Sequence, residues 1–154
     1  MGTSEFDQAK VHAFFSADCF NNAWGLIDKD DRTPEEDEQM LLLAMASLWH
    51  WTQREDHTLG NLSVGYWQVS RVHALLRRAD EARRYGTLAL DAGQRGEADA
   101  FTIGYAYEAL ARAEAVAGNE TKASEYVTAA RKAADEVTNE ESKTWLVDDL
   151  ETIG

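Results

Sequence analysis

Cysteine, proline and basic residues are all scarce in this sequence. Cys19 stands alone, so no disulfide within the chain can brace the fold. A single thiol suits a reducing, cytoplasmic compartment. Pro34 is the one proline, and β-branched residues are few beside abundant alanine, which removes the usual obstacles to helix. Lys and Arg total 15 against 28 Asp and Glu, leaving a net charge of −13. Such a chain repels phosphate backbones and anionic bilayers, which argues against nucleic-acid or membrane partners. The longest apolar run, residues 40–46, falls far short of the roughly 20 residues that span a bilayer. The opening MGTSEFDQAK has no signal-peptide core.

What is present is helical periodicity. Apolar residues make up 44% of the 154 positions, enough for one continuous core in a single domain covering residues 1–154. Val11, Phe14, Phe15, Cys19, Ala23, Leu26 and Ile27 recur at three- and four-residue steps, which predicts a helix over residues 7–27. A second begins at a marked cap: Thr33, then Pro34, then Glu36, running to about Arg54. Its middle, MLLLAMASLWHW, is apolar around most of its circumference, which predicts burial between neighbours. A third helix follows a cap at Asn61 or Ser63. A fourth ends by Arg95 between Gly93 and Gly96. A fifth runs from Glu97 to Ala117, closed by Gly118, and a sixth from Asn119 to about Val137. Thr138 and Glu141 read as a capping box for a last helix to about Leu150. Seven helices with short connections predict an all-α fold of antiparallel neighbours.

Residues 61–137 nearly repeat themselves at an offset of 41. Tyr66 falls on Tyr107, Ser70 on Ala111, Arg71 on Arg112, Ala82 on Ala123 and Ala89 on Ala130. Each copy reads as a helix hairpin in which small residues let two helices approach and larger ones fill the grooves. The marks are an aromatic, a small residue, a turn, then an acidic or basic residue with Ala, then a later Ala. They stand here as Tyr66, Ser70, Asp80–Glu81–Ala82 and Ala89, and as Tyr107, Ala111, Gly118–Asn119, Ala123 and Ala130. This pattern resembles the tetratricopeptide (TPR) family. It covers about half the chain, its period is longer than the family's usual ~34 residues, and the closing proline is absent. The resemblance implies a right-handed α-α superhelix: a degenerate first hairpin (residues 7–54), repeat hairpins at 61–95 and 97–137, and a capping helix at 138–151. Asp148, Asp149 and Glu151 would give that cap a polar outer side.

The resemblance also implies non-catalytic binding of a protein or peptide on a concave face lined by the first helix of each hairpin. The inward positions are Trp67, Gln68 and Arg71, then Tyr105, Glu108 and Arg112. Trp67/Arg71 and Glu108/Arg112 are each four residues apart, so each pair shares a helix face. Two guanidinium forks could hold a carboxylate or phosphate on an acidic partner; Glu108 could instead neutralise them internally. The basic stretch holding Arg71, Arg77, Arg78, Arg83, Arg84 and Arg95 admits the same two readings: an acidic partner, or pairing on neighbouring helices. Trp49, Trp51 and Trp67 pack as an aromatic core, or line a pocket with His50 and Asn61.

A competing class is a small-molecule or metal-dependent enzyme in a helical bundle, using His50, His57 and His73. No HExxH pair, Gly-rich phosphate loop or GxSxG accompanies them, so no metal, cofactor or catalytic residue is assigned. A third possibility is a homodimer whose groove is filled by its twin.

Overall fold

The computed structural model describes residues 6–153. They form seven α-helices: α1 (Gln8–Ile27), α2 (Pro34–Gln53), α3 (Leu59–Leu75), α4 (Ala79–Arg95), α5 (Ala100–Ala117), α6 (Glu120–Asp135) and α7 (Glu140–Glu151). No strand occurs among the described residues, so the fold is all-α. The chain divides into two compact units, Met1–His57 and Thr58–Gly154.

The first unit is the α1–α2 hairpin. Asp7 caps α1 by accepting from the Lys10 amide. At the start of α2 the capping box is complete: Thr33 Oγ1 accepts from the Glu36 amide at 3.2 Å, and Glu36 Oε2 from the Thr33 amide at 2.9 Å. Arg32 ties the connection together, donating to the carbonyls of Leu26 and Lys29 and to Asp37. Orphan carbonyls at the end of α1 are thereby satisfied. The hairpin buries Ser16, Cys19, Ala23 and Ile27 of α1, and Met40, Ala44, Ser47 and Leu48 of α2. Ser47 Oγ donates to the Ser16 carbonyl at 2.7 Å, a bond that small residues on both helices permit.

All-round burial of α2 is not what the structure shows. Leu42, Met45 and Trp49 are exposed, as are Phe14 and Phe15 on α1. Pairing two helices covers one stripe of each, and an all-round apolar helix has more than one.

The second unit begins earlier than the Asn61/Ser63 cap expected. Thr58 is the N-cap of α3, and Asn61 is its reciprocal partner in a capping box. Two satisfied amides outweigh the helix-weakening effect of Gly60, which reads in sequence as part of a break. Helix α5 likewise starts after an Asp99 cap rather than at Glu97, and α7 after Asn139 rather than through a Thr138–Glu141 box. Asn119 precedes α6, which ends at Asp135, but its side chain turns back to Glu114 instead of capping.

Helix α3 packs on α4, α4 on α5, and α5 on α6, while α3 also meets α5 and α7 meets both α5 and α6. Between α3 and α4, Ser63 Oγ donates to the Ala89 carbonyl and Ser70 Oγ to the Ala82 carbonyl, both at 2.7 Å. The two bonds are seven residues apart on each helix, the register of an antiparallel pair meeting every second turn. Ala82, Ala89, Ala123 and Ala130 are all buried, the close approach expected of the small repeat positions. Leu146 and Leu150 of α7 join Ala130 and Ala134 in a core flanked by Tyr105 and Tyr107.

The repeat is visible in the backbone too. Arg77 (φ 62) and Gly118 (φ 81) are 41 residues apart, and both adopt the left-handed conformation that ends the first helix of a hairpin. The amide of the next residue then reaches back, Arg78 to the His73 carbonyl and Asn119 to that of Glu114, at 2.9 Å in each case. Gly96 serves differently. Its φ of −86° suits any residue, but an added Cβ would lie 2.7 Å from Leu59 Cβ and 3.0 Å from the Ala92 carbonyl. It is glycine because α3 begins against it.

Candidate functional site

Glu108 lies at the centre of the site. It sits mid-way along α5 with no exposed surface, and its carboxylate is fully engaged. Trp67 Nε1 donates to Oε2 at 2.8 Å and Arg71 Nη1 to Oε1 at 2.8 Å. Arg112 Nε, one turn along α5, donates to the same Oε1. Four-residue spacing on two adjacent helices brings these groups to one point, as the sequence pattern implies. Charged bonds of this kind offset the cost of burying a carboxylate, which alone would be prohibitive.

Around that centre the aromatic residues form a wall. The Trp67 and Tyr105 rings meet edge-on with centroids 4.9 Å apart, and Phe101 meets Tyr105 at 5.0 Å. Tyr105 donates its hydroxyl to Asp149 Oδ2 at 2.7 Å. Burial first, and Asp149 second, push the phenol pKa well above its ordinary value. Arg112 Nη2 extends the network to the Asp149 carbonyl (2.8 Å) and Thr152 Oγ1 (2.6 Å). Asp148 and Glu151 do face solvent on α7, whereas Asp149 turns inward. Burial lowers the Arg71 pKa; Glu108 opposes that shift and neighbouring Arg112 adds to it.

Beside the network lies a cleft of about 250 Å³. Arg71, Arg77 and Arg112 supply its polar side, and Leu75, Val116 and Ile153 are among its apolar walls. Among the described residues Arg77 forms no ion pair, and it is exposed. Three guanidinium groups thus stand near the carboxylates of Glu108 and Asp149, and Arg77 is the exposed one of the three.

Five of the six expected residues, Trp67, Arg71, Tyr105, Glu108 and Arg112, therefore form one connected cluster. Gln68 is wholly buried, as is Glu108, so neither presents surface to a ligand. Asn61 is occupied in the α3 cap. His50 belongs to the first unit, where its Nδ1 lies 2.9 Å from His12 Nδ1. Trp49 is 55% exposed, so it is not the packed core residue that its apolar surroundings in sequence imply. His57 is exposed, with Nδ1 at 2.5 Å from the Arg54 carbonyl. His73 is buried and stacked on Tyr85, and its Nδ1 has no hydrogen-bond partner. No group of three potential metal ligands converges among the described residues.

The basic stretch is largely consumed internally. Arg83 Nε donates to Glu114 Oε1 at 2.7 Å and its Nη1 to Asp80 at 2.9 Å, while Arg84 and Arg95 pair within α4. Arg83 holds buried Glu114 below the usual carboxylate range, with Asn119 assisting. Sequence reasoning misses two features, the Asp149 contacts and the His12–His50 pair. Their partners come from separate helices, 37 to 44 residues apart, with no motif to link them.

No helix among the described residues is long and apolar enough to cross a membrane. The sequence matches no family model, and neither a curated protein nor a solved structure matches it significantly.

Proposed function

We propose that the second unit is a non-catalytic recognition module of TPR-like design that binds an acidic peptide or protein segment. One observation carries this reading. Arg71 and Arg112 converge on a single carboxylate oxygen, while Arg77, exposed and without an ion pair among the described residues, stands at the rim of the adjoining cleft. A ligand carboxylate entering there would meet the Arg77 guanidinium and find preset donors beside it. The apolar walls suit a short aliphatic stretch beside it. Trp67 and Tyr105 stiffen the support rather than grasp the ligand, because their polar atoms are already committed to Glu108 and Asp149. A cytoplasmic setting fits the lone, buried Cys19.

The test is fluorescence polarisation with labelled acidic and basic peptides of equal length. The acidic peptide should bind, weaken with salt, and lose at least tenfold in affinity in Arg77→Glu. Equal binding of both peptides, or no effect of the substitution, overturns the reading. Arg77 is the residue to change, because Arg71→Glu or Arg112→Glu would set a second carboxylate against buried Glu108 and unfold the site.

Self-association is a second reading, favoured by the exposed Phe14, Leu42, Met45 and Trp49 of the first unit. Light scattering across a concentration series tests it, and a strictly monomeric protein throughout counts against it.

A further inference from the structure

His12 on α1 and His50 on α2 face each other across the first hairpin, Nδ1 to Nδ1, at 2.9 Å. One ring must donate a proton and the other accept it, so at least one Nδ1 lone pair points into the gap. The ring centroids are 5.1 Å apart. Trp49 meets both imidazoles edge-on, at 5.4 Å from His12 and 4.9 Å from His50, and Phe15 stacks on His50 at 5.5 Å. Two rings, Trp49 and Phe15, thus pack against the pair of imidazoles. Both histidines are half-buried, leaving a route for a small ion.

We propose that His12 and His50 form a two-imidazole site for a borderline divalent transition ion, Cu²⁺ or Zn²⁺. A metal–nitrogen bond of about 2.0–2.1 Å and a tetrahedral angle place two ligating nitrogens roughly 3.3 Å apart. From the observed 2.9 Å the nitrogens need to separate by about 0.4 Å, and each ring to tilt by roughly 35° so that its lone pair aims at the ion, a movement made by rotating the two side-chain torsions. The ion takes the place of the shared proton. Each ring then carries its proton on Nε2, so binding to the neutral pair is a change of tautomer with no net proton release. Water completes the coordination shell, and the site is a docking point for an ion rather than a closed structural centre. Cu²⁺ should bind more tightly than Zn²⁺, following the usual order for nitrogen ligands. The pair is independent of the cleft in the second unit and uses neither His57 nor His73.

The experiment is titration of the full chain with Zn²⁺, following the imidazole C–H signals of its four histidines by NMR, with a parallel Cu²⁺ titration followed by tryptophan fluorescence. The signals of His12 and His50 should shift together and saturate at one ion per chain, while those of His57 and His73 stay still. Cu²⁺ should quench fluorescence at the same stoichiometry. His12→Ala and His50→Ala should each weaken binding at least tenfold, and His57→Ala should not. His12→Asn keeps a hydrogen-bonding partner for His50 and serves if the alanine variant unfolds; it should also lose the ion. Binding that survives in these variants, or no saturable shift of the two signals, overturns the proposal and leaves the pair a structural hydrogen bond.

Discussion

Trp67 donates its indole proton to Glu108, the residue that occupies its own position one repeat later. The two helices that carry them lie side by side, so equivalent repeat positions touch, and an aromatic in one copy partners a carboxylate in the other. Arg71 and Arg112 are a second equivalent pair, and both end on that carboxylate. Removing Glu108 strands two guanidiniums in a half-buried setting. Glu108→Leu should therefore cost about 3–5 kcal/mol of stability, measured by urea unfolding. Adding Arg71→Met and Arg112→Met to it should restore most of the loss. Failure of the triple variant to regain stability would show that the network contributes more than mutual neutralisation.

Arg77 and Gly118 end equivalent helices in the same left-handed conformation, yet only one is glycine. Arg77→Gly should stabilise the protein by about 0.5–1 kcal/mol, since a side chain is strained at that φ. Gly118→Ala should destabilise it by a similar amount. Denaturant midpoints that move together in one direction would contradict this account.

Gly96→Ala tests close approach rather than torsion. The new methyl would meet Leu59 Cβ and the Ala92 carbonyl, neither of them the free end of a flexible chain. A loss of about 1–3 kcal/mol is expected from overpacking. Hydrogen exchange should show it first in the opening turn of α3.

His73 makes stability depend on pH. Burial, the largest effect, lowers its pKa below the ordinary 6.5, and Arg78 adds to the shift while Glu81 opposes it. The folded state then binds fewer protons than the unfolded one. Stability is fully present above the unfolded pKa and declines as pH falls from about 6.5 toward the folded pKa. Lowered Glu114 acts in the same sense but only at more acid pH, below its ordinary 4.5. Stability measured from pH 7.5 to 5 should fall, and His73→Phe should flatten part of that decline. An unchanged slope in the variant would assign the effect elsewhere, His50 being the next candidate.

Local signals in the chain were enough to define its elements. Three- and four-residue apolar spacing located α1, caps and glycines marked most of the later helices, and the Thr33–Pro34–Glu36 cap fixed the start of α2 because all its partners lie within three residues. The 41-residue offset placed Arg71 beside Arg112 in repeat register, since helix periodicity carries a side chain to a predictable face. Caps at Thr58, Asp99 and Asn139 were harder, because nearby Gly60, Glu97 and Thr138 compete for the same reading.

What tertiary structure alone decided was how each charge is spent. Sequence left Arg71 and Arg112 open to a ligand or to an internal acid, and burial of Glu108 beneath both resolved their first contact. It also turned Asp149 inward to Tyr105, left Arg77 at the cleft rim, and set His12 against His50. Spacing along one helix fixes angle but not neighbours. The free energy of a charged or aromatic side chain is set by the groups that adjoining helices bring within a few ångströms of it.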